Sequence, residues 1–375
     1  MIASLLLGAW MFLVSGAHGT AVVRHVRARR VPRASGSAPA ALLVRPLAGD
    51  EPDLQKRLGY TAGVGRVLLC VDAATDLAHD SASAAASALR ARGVEAAVVL
   101  TGAEGPNHKV DQIARAVART VWPWDVLVVC DSDVMLEHVD LSAALGRFVD
   151  PDLAVVWLAP VPERAVLSFG DRGMQAVLAG SLHAFPLLAH IDRGGLVGKT
   201  MLIRRATLDA AGGFDSLRHH LGEDMELGRR VRAAGGRIEL SHAVVTTAAR
   251  AVTTSAAVER FARWIAVIKA QRAALLWSYP LLFAATTPAL VLACAGASRV
   301  PLLLVPAAAL LVTRCAVWWT ARSAAGHRHA PLALLVDLVL ADALLWAAFL
   351  RVVVARPLTW RGRALVLGPE RRLQG

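Results

Sequence analysis

The sequence predicts an α/β domain built on a mostly parallel sheet, with membrane-spanning helices at the N- and C-terminal ends of the chain. Two observations predict it. Hydrophobic residues make up 55% of the 375 positions but pile up at the two ends, leaving a mixed, charged middle. That middle alternates short apolar runs with segments of helical composition, the pattern of strand–helix–strand units. A chain this apolar buries enough surface to offset its ordering entropy, so disorder is excluded. The four cysteines, Cys70, Cys130, Cys294 and Cys315, lie in apolar runs and never in a C-x-x-C spacing. They predict no disulfide framework or zinc site, and a reducing compartment.

The elements follow in order. Residues 1–17 carry no charged side chain and would span about 26 Å as a helix. Arg24, Arg27, Arg29, Arg30 and Arg33 come after this run and before the first acidic residue, Asp50. A secretory signal places its charge ahead of the apolar run. Residues 1–20 therefore read as an uncleaved anchor with its N-terminus outside, the alternative being a cleaved signal. Residues 40–258 form the predicted α/β domain, on the cytoplasmic side. Its strands are expected at 66–72, 96–102, 125–131 and 152–159, separated by the Ala- and Arg-rich helical segments SASAAASALRARG and KVDQIARAVART.

Sheets of this kind bind ligands beyond the carboxyl ends of their strands. Two strands end there in acids: VLLCVDAATD gives Asp72 and Asp76, and VLVVCDSDV gives Asp131 and Asp133. An Asp-x-Asp after a buried strand suits Mg²⁺ or Mn²⁺ bridging a diphosphate, because these ions take hard oxygen ligands from one or two carboxylates plus phosphate. The plainer alternative is that the acids cap turns. A third acidic site, Glu223 and Asp224, opens a helix in HHLGEDMELGRRVRAAGG. Acids there are stabilised by the helix dipole, or one serves as a general base aimed at an acceptor hydroxyl. GGLVGKT (194–200) is not a Walker loop, since Arg193 stands where that pattern needs glycine. The twelve histidines show no H-E-x-x-H spacing and read as surface or capping residues.

Residues 259–272 read as an amphipathic interfacial helix: Arg260, Arg263, Trp264, Lys269 and Arg272 mix snorkelling cations with an interfacial aromatic. A guanidinium from it is also well shaped for a diphosphate. Residues 273–354 hold transmembrane or re-entrant segments. The stretch 273–298 is free of charge, whereas 300–320 holds Arg314 and 331–350 holds Asp337 and Asp342. Such ions must face protein or the interface. Three full spans would put the basic tail, 355–375, outside, and a re-entrant or interfacial third segment would keep it cytoplasmic.

Taken together, these residues resemble the ceramide glucosyltransferase family and its hopanoid-type lipid glycosyltransferase relatives, over about 42–368. The likeness runs through LVRPLAGDEPDLQKRL, VLLCVDAATD, GPNHKVDQI with Lys109, VVCDSDV, GKTMLIRRATLDAAGG, GED, RFARW and LTWRGR. The resemblance implies a Rossmann-like glycosyltransferase A domain and an inverting, nucleotide-sugar-dependent transfer to a lipid. Carried over by position, Asp76 or Asp72 is similar to the first family aspartate, beside the nucleotide. Asp131, with Asp133 next to it, is similar to the second, at the metal and diphosphate. Asp224 is similar to the third, the general base, with Glu223 and Lys109 counted toward the substrate. Arg260, Arg263 and Trp264 match the (Q/R)-x-x-R-W motif. Here three residues separate Asp72 from Asp76, whereas the family often has consecutive acids there.

The expected activity is transfer of a hexose from a UDP-sugar to a lipid hydroxyl, with Mg²⁺ or Mn²⁺, at the cytoplasmic membrane. A processive polysaccharide synthase shares the motifs but needs enough spans for a polymer channel. A non-catalytic nucleotide-binding membrane scaffold would be expected to lack one of the three acidic sites. The net charge of +12 gathers beside apolar segments, which favours anionic lipid headgroups over nucleic acid. The residues specify neither sugar, acceptor nor oligomeric state.

Overall fold

A computed structural model describes residues 1–28, 38–192 and 194–354, together with the backbone of 359–360 and 363–364. Arg29, Arg30, Arg33 and, apart from a two-stranded pairing of Thr359–Trp360 with Arg363–Ala364, the expected basic tail lie outside the described residues. The chain divides into two compact units. One comprises Met1–Val31, Val161–Arg193 and Ala249–Leu365; the other Pro32–Pro160, Gly194–Ala248 and Val366–Gly375. The segment 161–193, read from the sequence as part of the α/β block, groups with the helices.

In chain order the elements are α1 (Ile2–Ala28), β1 (Ala41–Pro46), α2 (Leu54–Leu58), β2 (Arg66–Val71), α3 (Ala78–Ala91), β3 (Glu95–Leu100) and α4 (His108–Arg119). Then come β4 (Val126–Cys130), β5 (Val134–Met135), α5 (Ser142–Gly146), β6 (Leu153–Pro162), α6 (Phe169–Leu178), α7 (Phe185–Ile191), β7 (Thr200–Arg204) and α8 (Arg205–Ala210). The rest are α9 (Glu223–Ala233), β8 (Arg237–Thr247), α10 (Thr254–Gln271), α11 (Thr286–Gly296), α12 (Leu304–Ala324) and α13 (Pro331–Val353).

The α/β unit carries the predicted sheet, in the order β3-β2-β1-β4-β7-β6-β8-β5. The first four strands are parallel, with Leu43 opposite both Val67 and Val128. β4 is buried at every position, as a strand covered on both faces must be. Three later pairings are antiparallel: β7 on β4, with Cys130 opposite Thr200, β6 on β7, and β5 on β8. Direction decides what collects at one edge. The carboxyl ends of β2 and β4, where Asp72 and Asp131 emerge, lie at the same edge as the start of β7, which follows Gly198 and Lys199.

The helical unit contains three helices long and apolar enough to cross a membrane: Ile2–Ala28, Pro301–Ala324 and Pro331–Val353. α1 continues beyond the predicted anchor through Arg24 and Arg27. α1 and α12 run parallel, because Gly8 lies against Leu303 and Pro306 while Ala21 shares a core with Val317 and Ala321. Arg24 and Arg27 thus fall at the same end of the pair as Arg322.

Residues 273–298, the charge-free spanning candidate, are bent by 51° between Ala273–Phe283 and Thr286–Gly296. They form a broken span or a re-entrant loop. Pro288 lacks the N–H that would bond the Ala284 carbonyl in a continuous helix, and the break exposes backbone groups that water cannot satisfy in a bilayer. α13 satisfies them: Asp342 accepts the Thr287 N–H at 2.7 Å, and the Trp346 indole donates to the Ala284 carbonyl at 2.9 Å. Arg314, 1% exposed, donates to the Gly180 carbonyl at 2.7 Å and lies 4.0 Å from Asp342. Asp337 accepts from the Trp318 indole at 3.0 Å and Arg322 at 3.3 Å. The ions of the last two apolar segments therefore face protein. Asp342→Leu would strand both Arg314 and the α11 N-terminus. It should cost about 3–5 kcal/mol, the usual loss when one member of a buried pair is removed. Thermal unfolding in detergent measures this, and Asp342→Asn, which keeps the acceptor, should recover part of it.

Candidate active site

Each side chain of the site reaches the sheet edge by its own route. β4 ends at Cys130, and Asp131 and Asp133 follow in a tight turn whose Asp131 N–H donates to the Lys199 carbonyl at 3.0 Å. The turn is held by Arg45, the penultimate residue of the apolar strand β1, which is 0% exposed. Its guanidinium donates to the carbonyls of Asp131 (2.9 Å), Val134 (2.7 Å) and Arg57 (3.0 Å). Arg57 in turn donates to the Ser132 carbonyl and pairs with Glu51, which accepts from the Ser132 hydroxyl at 2.8 Å.

α4 begins after β3 with Asn107 as its cap, the side chain accepting from the Val110 N–H. This start delivers Lys109, whose ammonium lies 2.8 Å from Asp131 Oδ1 and 3.1 Å from Glu223 Oε1, and donates to the Gly198 carbonyl at 3.2 Å. These carboxylates hold Lys109 protonated well above the ordinary lysine range, against the opposing effect of burial. Lys199 completes the cluster, 2.7 and 2.6 Å from the two Asp133 oxygens and 3.3 Å from Asp131 Oδ2.

Gly222, at φ 76°, takes the left-handed conformation that glycine tolerates and turns the chain into α9. Glu223, Asp224 and Glu226 fill the first helical turn, where the free N–H groups and dipole favour acids. Asp224 accepts the Gly198 N–H and its neighbour Met225's N–H, both at 2.8 Å. Burial, then the charge of Glu223, push its carboxyl up to about 6. Glu226, two residues on, goes the other way: hydrogen bonds from Arg229 and Arg230 bring it to about 2. Two acids of one helical turn thus differ because Asp224 is buried beside another carboxylate, an effect its two amide hydrogen bonds only partly offset, whereas Glu226 is held by two guanidinium groups. A Cβ at Gly198 would sit 3.0 Å from the Asp224 Cβ, so any larger residue there would push on the Asp224 side chain.

Asp72 accepts from Thr101 (3.0 Å) and Gln112 (2.9 Å), and faces the His108 ring at 3.3 Å, one residue before Lys109. Asp76 instead accepts the N–H groups of Gly49 and Ala78 through one oxygen, fixing a turn at the start of α3. The α/β unit therefore brings Asp131, Asp133, Glu223, Asp224 and Lys109 together, with Asp72 alongside, and does not bring Asp76 among them.

In the helical unit, Arg260, Arg263 and Trp264 lie one turn apart on α10. Arg260 lies 5.9 Å from the Trp264 ring centre, and that ring stacks on His183 with centroids 6.2 Å apart. Sequence reasoning missed Arg45, Glu51, Arg57, Gly198 and Lys199. An arginine inside the apolar run ALLVRPL is itself a signal, because a buried cation must have partners.

Asp131 and Asp133 offer hard carboxylate oxygens two residues apart at a strand end, a donor set that fits Mg²⁺ or Mn²⁺ if further oxygens come from a ligand. Among the described residues no group of three or more His, Cys, Asp or Glu is arranged to hold a metal by itself.

The chain is similar to mannosyltransferase PcManGT from Pyrobaculum calidifontis, solved in complex with GDP-Man and Mn²⁺. The two are 17% identical over 92% of this chain and 99% of that one, with a TM-score of 0.47. S. aureus TarS 1-349 is 12% identical over 89% of this chain and 99% of that one, with a TM-score of 0.36. No curated protein matches. The model of glycosyl transferase family 21 matches residues 8–373. The chain belongs to glycosyl transferase family 21 and is a glycosyltransferase.

Proposed function

We propose that this glycosyltransferase moves a hexose from a UDP-sugar to a hydroxyl of a membrane lipid, with inversion, and that Asp224 is the general base. The observation that carries the reading is the setting of Asp224. Its carboxylate is anchored by two backbone amides and raised to about 6, beside the Asp131–Asp133 turn and its two lysines. A base of this strength is ionised at neutral pH and still strong enough to accept a hydroxyl proton as the oxygen attacks the anomeric carbon.

In this reading Asp131 and Asp133 hold Mg²⁺ or Mn²⁺, which when bound neutralises charge on the departing diphosphate. Lys109 and Lys199 add positive charge at the same place, where the diphosphate's charge develops. Asp72, next to His108 and Lys109, is the acid assigned to the nucleotide; Asp76 is left to its turn. Arg260 and Arg263 are proposed as guanidinium ligands of the diphosphate, with Trp264 fixing the Arg260 side chain by stacking.

The lipid acceptor is supported by helices of membrane-spanning length and by the shared basic end of α1 and α12, where Arg24, Arg27 and Arg322 suit anionic headgroups. That end is assigned to the cytoplasmic side by its charge.

Membranes incubated with radiolabelled UDP-hexoses should yield an extractable lipid carrying one sugar. Asp224→Asn should lower that transfer about 10³-fold, within the range for loss of a general base, while UDP still binds in calorimetry. Unlabelled lipid with every UDP-hexose would contradict the acceptor and donor, and near-normal transfer by the variant would remove Asp224 from its role. The raised carboxyl also fixes a pH profile. Asp224 is protonated, and inactive as a base, below about 6, so kcat/KM should fall as pH drops through that value.

A further inference from the structure

The run GGLVGKT is not a Walker loop, yet it threads the site: the Gly198 N–H holds Asp224, the Gly198 carbonyl accepts from Lys109, and Lys199 lies on the Asp131–Asp133 pair. We infer that Lys199 is a built-in counter-cation that occupies the divalent-metal position until a nucleoside diphosphate arrives, so that metal and donor bind as a unit. The inference rests on the proposed reading of Asp131 and Asp133 as the cation-binding pair.

The geometry is that of a bridging cation. The Lys199 ammonium touches both oxygens of Asp133, at 2.7 and 2.6 Å, and reaches Asp131 Oδ2 at 3.3 Å. Lys109 takes the other oxygen of Asp131 at 2.8 Å. A metal ion arriving alone must push an ammonium off Asp133 and then sit beside it, with no new anion to separate two like charges. Nor would it find enough ligands, since among the described residues no third acid, histidine or cysteine is grouped with the pair for a metal. A diphosphate removes both obstacles at once. Its oxygens complete the coordination of a hard divalent ion, and its negative charge gives the displaced ammonium a new partner. By linkage, the factor by which nucleotide tightens metal binding is also the factor by which metal tightens nucleotide binding.

Titration of Mn²⁺ into the full chain in detergent, with free Mn²⁺ read by electron paramagnetic resonance, tests this without catalysis. Wild type should bind Mn²⁺ weakly alone and about 100-fold more tightly with UDP, a coupling within the usual range. Lys199→Met should bind Mn²⁺ alone about tenfold more tightly than wild type and lose a similar factor of the UDP-dependent gain. Lys199→Arg, which keeps the charge, should stay close to wild type. If Lys199→Met matches wild type in Mn²⁺ affinity without UDP, or loses Mn²⁺ binding both with and without UDP, the lysine does not close the site and the inference is overturned. If instead Asp131→Asn and Asp133→Asn bind Mn²⁺ with UDP as tightly as wild type, the reading of the acidic pair fails, and the inference falls with it.

Discussion

Carboxylates that share a part-buried patch repel one another, and this repulsion shapes the α/β unit. At 4 Å and the effective dielectric of such a site, two unit charges interact by about 4 kcal/mol. Asp131, Asp133, Glu223 and Asp224 can stand together only because cations are set between them: Lys109 between Asp131 and Glu223, Lys199 between Asp131 and Asp133. Parallel β1, β2 and β4 bring the acidic strand ends to one edge, and the reversal into β7 returns a lysine to that edge. Beneath the turn, Arg45 holds three carbonyls and so fixes the direction in which both aspartates leave β4.

The helical unit obeys the same rule in a harsher solvent. Its buried ions are spent on backbone that would otherwise be unsatisfied. Asp342 caps the broken α11 and Arg314 takes the Gly180 carbonyl. Removing either leaves the other exposed to the full cost of desolvation, which is why these ions persist in helices otherwise apolar enough to span a bilayer.

Much of this was legible in the sequence. The four strands that alternate with Ala-rich helices stood out because they are continuous apolar runs, and the acids after β2 and β4 because they end such runs. β1 was hidden by Arg45, a charge within a six-residue strand whose partners come from residues up to 89 positions away. β8 was hidden because its residues are mostly half-buried and so lack a clean apolar stripe. Lys199 was visible as a residue but not as a partner: its pairing with Asp133 depends on the antiparallel register of β7, which no local pattern encodes. The bend in 273–298 escaped for a related reason. Absence of charge signals compatibility with lipid, whereas the bend depends on Pro288 and on the groups that α13 supplies to the break.

Metal-assisted transfer, as proposed, requires the Asp131–Asp133 turn to be the place where cation and donor diphosphate meet. The most direct measurement is a crystal structure of the full chain with UDP and Mn²⁺, the metal located by its anomalous scattering. The account predicts a peak in contact with Asp131 or Asp133 and the diphosphate, with the Lys199 ammonium moved off Asp133 onto a phosphate oxygen. A peak remote from both aspartates, or a diphosphate bound elsewhere while Lys199 keeps both Asp133 contacts, would contradict it.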